Sequence, residues 1–178
     1  MSLLTTRRSL LLGAGAAAGL IGLGPMRALA QDAPRKGGTF RLAIADFDTG
    51  DTLDPQLNET RFMMNLQYAL RNTLIEVGPG GVLQPELATE WAGNADSTVW
   101  TFKLRDGVTF HNGKTMTADD VVWSLNLHRG PDTVSEAKSL MAAITDITAS
   151  APNEITITLA APNAGFASLM SLLNLLIV

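Results

Sequence analysis

WTFKLRDGVTFHNGKTMTADDVVWSL, residues 100–125, carries the densest local order in the chain. Trp100, Phe102 and Leu104 alternate with Thr101 and Lys103, the pattern of a strand with one apolar face. Arg105, Asp106 and Gly107 interrupt the run, and Val108 and Phe110 resume the alternation as a second strand. Asn112 and Gly113 then supply residues suited to a tight turn. A helix is expected next. Thr117 can cap it, and Asp120, at the third helical position, can reach back to the N–H of the cap residue. Val121, Val122 and Leu125 follow at helical spacing, so the stretch predicts strand, turn, strand, turn and helix. It holds no catalytic constellation.

Composition bounds what surrounds this stretch. The chain has 178 residues, 46% of them apolar and 17% charged, enough for one good core. With no cysteine it can form neither disulfides nor thiolate metal sites, though an oxidising compartment stays open. Setting aside Arg7, Arg8 and Arg27 in the first thirty residues, 10 of the 13 basic residues remain against all 17 acidic ones. That balance argues against nucleic acid or an anionic membrane surface as partner.

The N-terminus reads as an address. Arg7 and Arg8 precede an apolar run from Leu10 to Gly24, 15 residues with five glycines and four alanines. This is short of the roughly 20 residues that a spanning helix needs. Ala28-Leu29-Ala30 fits a small-x-small cleavage site, so Gln31 is the expected mature N-terminus. Thr6 to Leu11 resembles a twin-arginine export signal, which implies a periplasmic protein with no membrane span after cleavage.

Between Gln31 and the opening stretch, Gly38 to Ala45 alternates as a first strand. Asp46, Asp48, Asp51 and Asp54 invite a calcium-loop reading, but Asp51 stands where the loop needs glycine and Leu57 where it needs glutamate. A solvated loop with a turn at Asp54-Pro55 is preferred. A helix is expected from about Arg61 to Asn72, with Phe62, Leu66, Ala69 and Leu70 as its core-facing stripe. Leu74 to Val77 reads as a strand and Gly78 to Gly81 as a loop, which lacks the ending of a phosphate-binding loop. His111 and His128 have no third His or Cys beside them, so structural roles are expected, with partial positive charge on His128 suiting a helix C-terminus. Trp91, Trp100 and Trp123 are all expected to pack.

Past the stop at Arg129-Gly130-Pro131, a short helix is expected over Ser135 to Met141. Ile144 to Ala149 and Ile155 to Leu159 then read as a hairpin with a four-residue connection. A last helix carries Phe166, Leu169, Met170 and Leu173. Leu175 to Val178 reads as the start of a buried strand whose partners are missing.

Together, Leu87-Ala88-x-x-Trp91, Trp100 to Val108, Phe110-His111-x-Gly113-Lys114 and Thr117-Ala118-x-Asp120-Val121 resemble the signature of the family 5 extracellular solute-binding proteins of ABC importers. Leu53-Asp54-Pro55-Gln56-Leu57 is a second point of likeness. The resemblance implies an α/β fold: part of the first lobe of a two-lobe periplasmic binding protein of class II type, a mixed sheet with a smaller α/β subdomain. On this basis residues 1–30 are the signal peptide, 31–72 the first segment of the main lobe, and 73–178 the smaller subdomain, cut short at its C-terminal end. The implied protein is no enzyme and uses no cofactor or metal. It is a monomeric substrate-binding subunit that takes a peptide or similar small solute and delivers it to permease subunits in the inner membrane. The alternatives are a fragment that does not bind, a stand-alone domain that pairs with another chain, and a sensing or docking module for a membrane receptor.

The resemblance also implies the site. Relatives hold an extended segment against the ligand where this chain has Asn58 to Arg61, which makes Glu59, Thr60 and Arg61 the candidate ligand-binding residues. The competing reading has Asn58 as a helix cap and Glu59 as a first-turn acid. Mass spectrometry of the exported protein is expected to find an N-terminus at Gln31; a start well before or after it overturns the signal-peptide reading.

Overall fold

The computed structural model describes residues 37–178, so the signal peptide and cleavage site expected above lie outside the described residues. Ten regular elements follow in order: α1 (Arg61–Leu70), β1 (Ile75–Val77), β2 (Leu83–Pro85), β3 (Ala88–Gly93), β4 (Val99–Leu104), α2 (Ala118–Asn126), α3 (Lys138–Met141), β5 (Ile144–Ala151), β6 (Glu154–Leu159) and α4 (Phe166–Leu169). Short 3-10 turns occupy Pro79–Gly81 and Leu173–Leu175. β1 and β2 form an antiparallel pair, and the other four strands form an antiparallel sheet in the order β3-β4-β6-β5. Residues 42–178 make up one unit.

β4 is central, and its alternation is the predicted one: Trp100, Phe102 and Leu104 point inward. Trp100 lies opposite Ile157 and Phe102 opposite Ile155 on β6, while Ile147 on β5 also faces Ile157, so one face of the sheet is continuous and apolar. The other face carries Thr101, Lys103, Thr156 and Thr158. Helices cover the apolar face. α2 contributes Val121 and Leu125, and the segment around α4 contributes Phe166 and Met170. The Phe166 ring sits 6.0 Å from Trp100 and 6.4 Å from Phe102, in the tilted and edge-on geometries that aromatic quadrupoles favour. Gly93, opposite Trp100 on β3, is pressed against the indole; a Cβ there would lie 3.0 Å from the ring.

α2 begins as its sequence dictates. The Thr117 hydroxyl accepts from the Asp120 N–H at 3.3 Å while the Asp120 carboxylate accepts from the Thr117 N–H at 2.9 Å, a reciprocal capping box. Before it, Val108 to Phe110 forms only an isolated bridge, Thr109 with Thr115, and not the expected second strand. The Phe110 N–H to Lys114 carbonyl bond and the Gly113 N–H to Phe110 carbonyl bond, each 2.8 Å, close a tight loop, and Gly113 takes φ 85° where a side chain would strain. β5 and β6 run longer than expected and meet across Pro152-Asn153, with Ala151 opposite Glu154, so the connection is two residues. α3 covers only Lys138–Met141 of the helix expected from Ser135.

Other expectations fail. Residues 38–45 form no strand, because no neighbour among the described residues pairs with their backbone. α1 turns Met63 and Gln67 inward, one helical turn apart, and leaves Phe62, Ala69 and Leu70 exposed with Leu66 half-buried. The expected stripe was the more apolar face, but among the described residues no second layer lies over it. His128 follows the end of α2 yet is fully buried, and burial lowers its pKa against the raising effect of Asp54, so the neutral ring is favoured over a dipole-stabilised cation. The final residues Leu175, Leu176 and Ile177 are buried as expected, with the Ile177 N–H on the Asn72 carbonyl at 3.0 Å, but they form no strand.

Trp100→Ala removes one of the two β4 rings that pack against Phe166. Urea denaturation is expected to show a loss of about 3–5 kcal/mol, the range for deleting a large buried aromatic side chain.

Candidate functional site

The Asn58–Arg61 segment is built by the acidic loop before it. An α-helix leaves its first N–H groups without internal partners. For α1 the Arg61 N–H donates to the Asp46 carboxylate at 3.2 Å, the Phe62 N–H to the Asp46 carbonyl at 3.1 Å, and the Met63 N–H to the Thr60 hydroxyl at 3.2 Å. Thr60 is the cap, in extended conformation, and its hydroxyl donates to Asp51 at 2.8 Å. Four aspartates that suggest only a solvated loop in sequence thus include two that fasten a helix. Asp54 closes the next turn, accepting from the Gln56 N–H at 2.9 Å through its carboxylate and from the Leu57 N–H at 3.2 Å through its carbonyl.

Each candidate residue has a distinct setting. The Thr60 side chain is committed to capping. Glu59 precedes the helix, outside its first turn, and is exposed. Arg61 is exposed, with its Nε 3.6 Å from the Asp46 carboxylate, a loose pair of the kind that contributes little to stability. Asn58 is no cap: it is 1% exposed, its amide donates to the Pro55 carbonyl at 3.0 Å, and its Oδ1 has no protein partner. Glu59 and Arg61 therefore present a free acid and a nearly free base on either side of an extended residue. Such an arrangement suits the termini or backbone of a zwitterionic solute better than a single isolated charge.

A second concavity was not legible in sequence. A groove of about 580 Å³ lies beside the Phe110–Lys114 loop, its walls including Leu70, Phe110, His111, Trp123 and Val178. Trp123 was expected to pack; instead it is 58% exposed along this groove, because the inward positions of α2 are Val121 and Leu125. The polar groups here are engaged. The His111 Nε2 lies 2.9 Å from the Leu70 carbonyl, which can only accept, so this nitrogen carries the proton. Lys114 hydrogen-bonds Asp120 and stands 5.9 Å from the centre of the Phe110 ring. Partial desolvation pushes the Asp120 carboxyl up, but hydrogen bonds from Lys114 and Thr117 outweigh it and hold its pKa below the ordinary value.

The groove therefore has apolar walls and satisfied polar edges, with no nucleophile beside a base. Among the described residues no three His, Cys, Asp or Glu side chains are grouped to hold a metal ion. No helix of the described residues is long and apolar enough to cross a membrane.

The sequence profile of the bacterial extracellular solute-binding proteins, family 5 (middle part), matches residues 82–178, more than half of the chain. The chain belongs to this family. The matched region of this family 5 protein contains the whole four-stranded sheet, α2 and the tail. A "Probable peptide ABC transporter periplasmic-binding protein" of Sinorhizobium fredii is 27% identical over 168 residues, covering 94% of this chain and 31% of the relative. The family 5 chain thus spans about a third of that relative's length. Among solved structures, a binding protein in complex with agropinic acid from A. tumefaciens R10 is 27% identical with a TM-score of 0.67, covering 71% of this chain and 26% of that one. The Escherichia coli murein tripeptide binding protein is 26% identical with a TM-score of 0.64, covering 71% and 28%.

Thr60→Ala is expected to cost about 1 kcal/mol in urea denaturation through loss of the cap. Arg61→Ala, measured alongside, is expected to leave the denaturation midpoint unchanged.

Proposed function

We propose that the chain is part of the periplasmic substrate-binding subunit of an ABC importer, taking a peptide or similar small solute for transmembrane transport. Membership of family 5 over residues 82–178 carries this reading. Export by the twin-arginine route, on the strength of Arg7 and Arg8, would bring it to the periplasm as a monomer that meets the permease subunits. Residues 31–72 would open the main ligand-binding lobe and 73–178 the smaller subdomain. Of the relatives, one is named for peptide transport and another is solved in complex with agropinic acid.

Glu59, Thr60 and Arg61 would meet the solute. The exposed carboxylate and guanidinium support this, as does the extended backbone of Thr60 beside them. A peptide laid along this segment would gain main-chain hydrogen bonds as an added strand does. Two-lobe binding proteins close around their ligand. A micromolar ligand has about −8 kcal/mol of binding free energy, and half of that corresponds to a dissociation constant of about 1 mM.

NMR titration of the labelled chain with a library of di- to pentapeptides tests this. Saturable shifts at the amides of residues 58–61 with a millimolar dissociation constant are expected. Arg61→Ala is expected to weaken them severalfold without moving the denaturation midpoint. Micromolar binding overturns the need for a second lobe, and shifts confined to other segments overturn the site.

A further inference from the structure

Gln56 and His128 are 72 positions apart, yet a continuous set of hydrogen bonds joins them. The His128 Nδ1 and the Ser135 hydroxyl are 2.6 Å apart, both side chains buried. The Ser135 N–H donates to the Thr133 hydroxyl at 3.2 Å, and that hydroxyl shares its one proton between the Gln56 side-chain oxygen at 2.9 Å and the Leu127 carbonyl at 2.7 Å. The Glu136 N–H donates to the Gln56 carbonyl at 3.3 Å. Gln56 is held in turn by Asp54, and Asn58 by the Pro55 carbonyl. The residue after Asn58 is Glu59, the start of the proposed ligand segment.

His128 is the least adaptable member of this set. Its Nε2 is buried with no hydrogen-bond partner. A neutral ring can leave that nitrogen as an unused acceptor, whereas a protonated ring would have a charged N–H there with nothing to receive it. Among the described residues the charge that acts on His128 is that of Asp54, on the loop packed against it. Arg71, which donates to the Leu53 carbonyl of that loop at 2.8 Å, also feels the charge of Asp54. Of the other charges nearby in sequence, Asp132 is exposed to solvent, Arg129 donates to the Ile144 and Thr145 carbonyls, Lys138 to the Pro131 carbonyl, and Glu136 accepts from Asn174.

We propose that His128, Ser135, Thr133 and Gln56 form a latch that fixes the Asp54–Arg61 segment, and that protonation of His128 releases it. His128 is then a positioning residue, acting on the segment through the 133–136 loop. The consequence for solute binding rests on the function proposed above: acidification would loosen the residues that meet the solute. The latch itself does not depend on that function.

The sign follows from linkage. Burial lowers the His128 pKa when the latch is closed, while the open form has the ordinary histidine value. The latch is therefore fully stable above about pH 6.5 and weakens as pH falls through that value. One proton gained on opening makes the opening equilibrium rise by up to about tenfold per pH unit, until the depressed folded pKa is reached.

Amide hydrogen exchange of the chain, corrected for the intrinsic pH dependence, reads this directly. Between pH 6.5 and 5.5 the protection of Leu57 and Glu136 is expected to fall severalfold while that of Phe102 and Ile155 in the sheet stays constant. His128→Asn keeps a partner for Ser135 and cannot titrate, so its protection is expected to be flat with pH. Thr133→Val is expected to lower protection of Leu57 at pH 7.5. Constant protection in the unsubstituted chain overturns the proposal, as does an equal fall in His128→Asn or a fall shared with the sheet. Should His128→Asn fail to fold, the NMR titration of the His128 ring serves, since a midpoint different from that of Leu57 exchange overturns the latch. A chain that shows the exchange pattern but no peptide shifts at residues 58–61 retains the latch and loses only the proposed ligand site.

Discussion

The contact of Phe166 with Trp100 and Phe102 is the constraint on which the rest of the structure depends. α4 has only four residues, too few to hold a helix by its own hydrogen bonds, so its position comes from the burial of Phe166 and Met170 against the sheet. That position decides where the tail runs. The Ile75 N–H donates to the Met170 carbonyl and the Ile177 N–H to the Asn72 carbonyl, which ties β1 and the end of α1 to the last ten residues. The Val178 N–H and carbonyl both meet the Ser124 hydroxyl on α2. Two helices distant in sequence are thereby set by one aromatic cluster.

What the amino-acid sequence reveals in advance is what short-range physics determines. Strand β4, the capping box of Thr117 and Asp120, the turn glycines and the alternation of Ile155, Ile157 and Leu159 need only neighbours within a few residues, and all are found. The family signature lies in the same region, which explains why the solute-binding family was legible from residues that do not face the proposed ligand segment. The failures have the opposite character. Which face α1 buries depends on the tail 100 residues later, and the His128 pKa falls because segments distant in sequence bury the ring, against the raising charge of Asp54. Asp46 and Asp51 look like solvated acids until the start of α1 is brought to them. Trp123 falls where the sequence pattern predicts packing, although Val121 and Leu125 already fill the inward positions of its helix.

The candidate ligand segment is held by polar rather than apolar contacts. Such contacts specify geometry sharply, since each donor has few acceptors within reach, and they add little net stability. An apolar anchor would have fixed the segment more firmly and made it indifferent to pH. Here the unpartnered polar atoms of Asn58, Gln67 and His128 leave that part of the interior less fully satisfied than the sheet.

Gly93 has a consequence for how this sequence can vary. The space a side chain would need there is already occupied by the Trp100 indole, whose other contacts leave it little room to retreat. The two positions share one volume across adjacent strands. A larger residue at 93 becomes admissible when position 100 shrinks, and a smaller residue at 100 leaves a void that position 93 could grow into. The pair is expected to change together in descent, as a single packing unit divided between two strands.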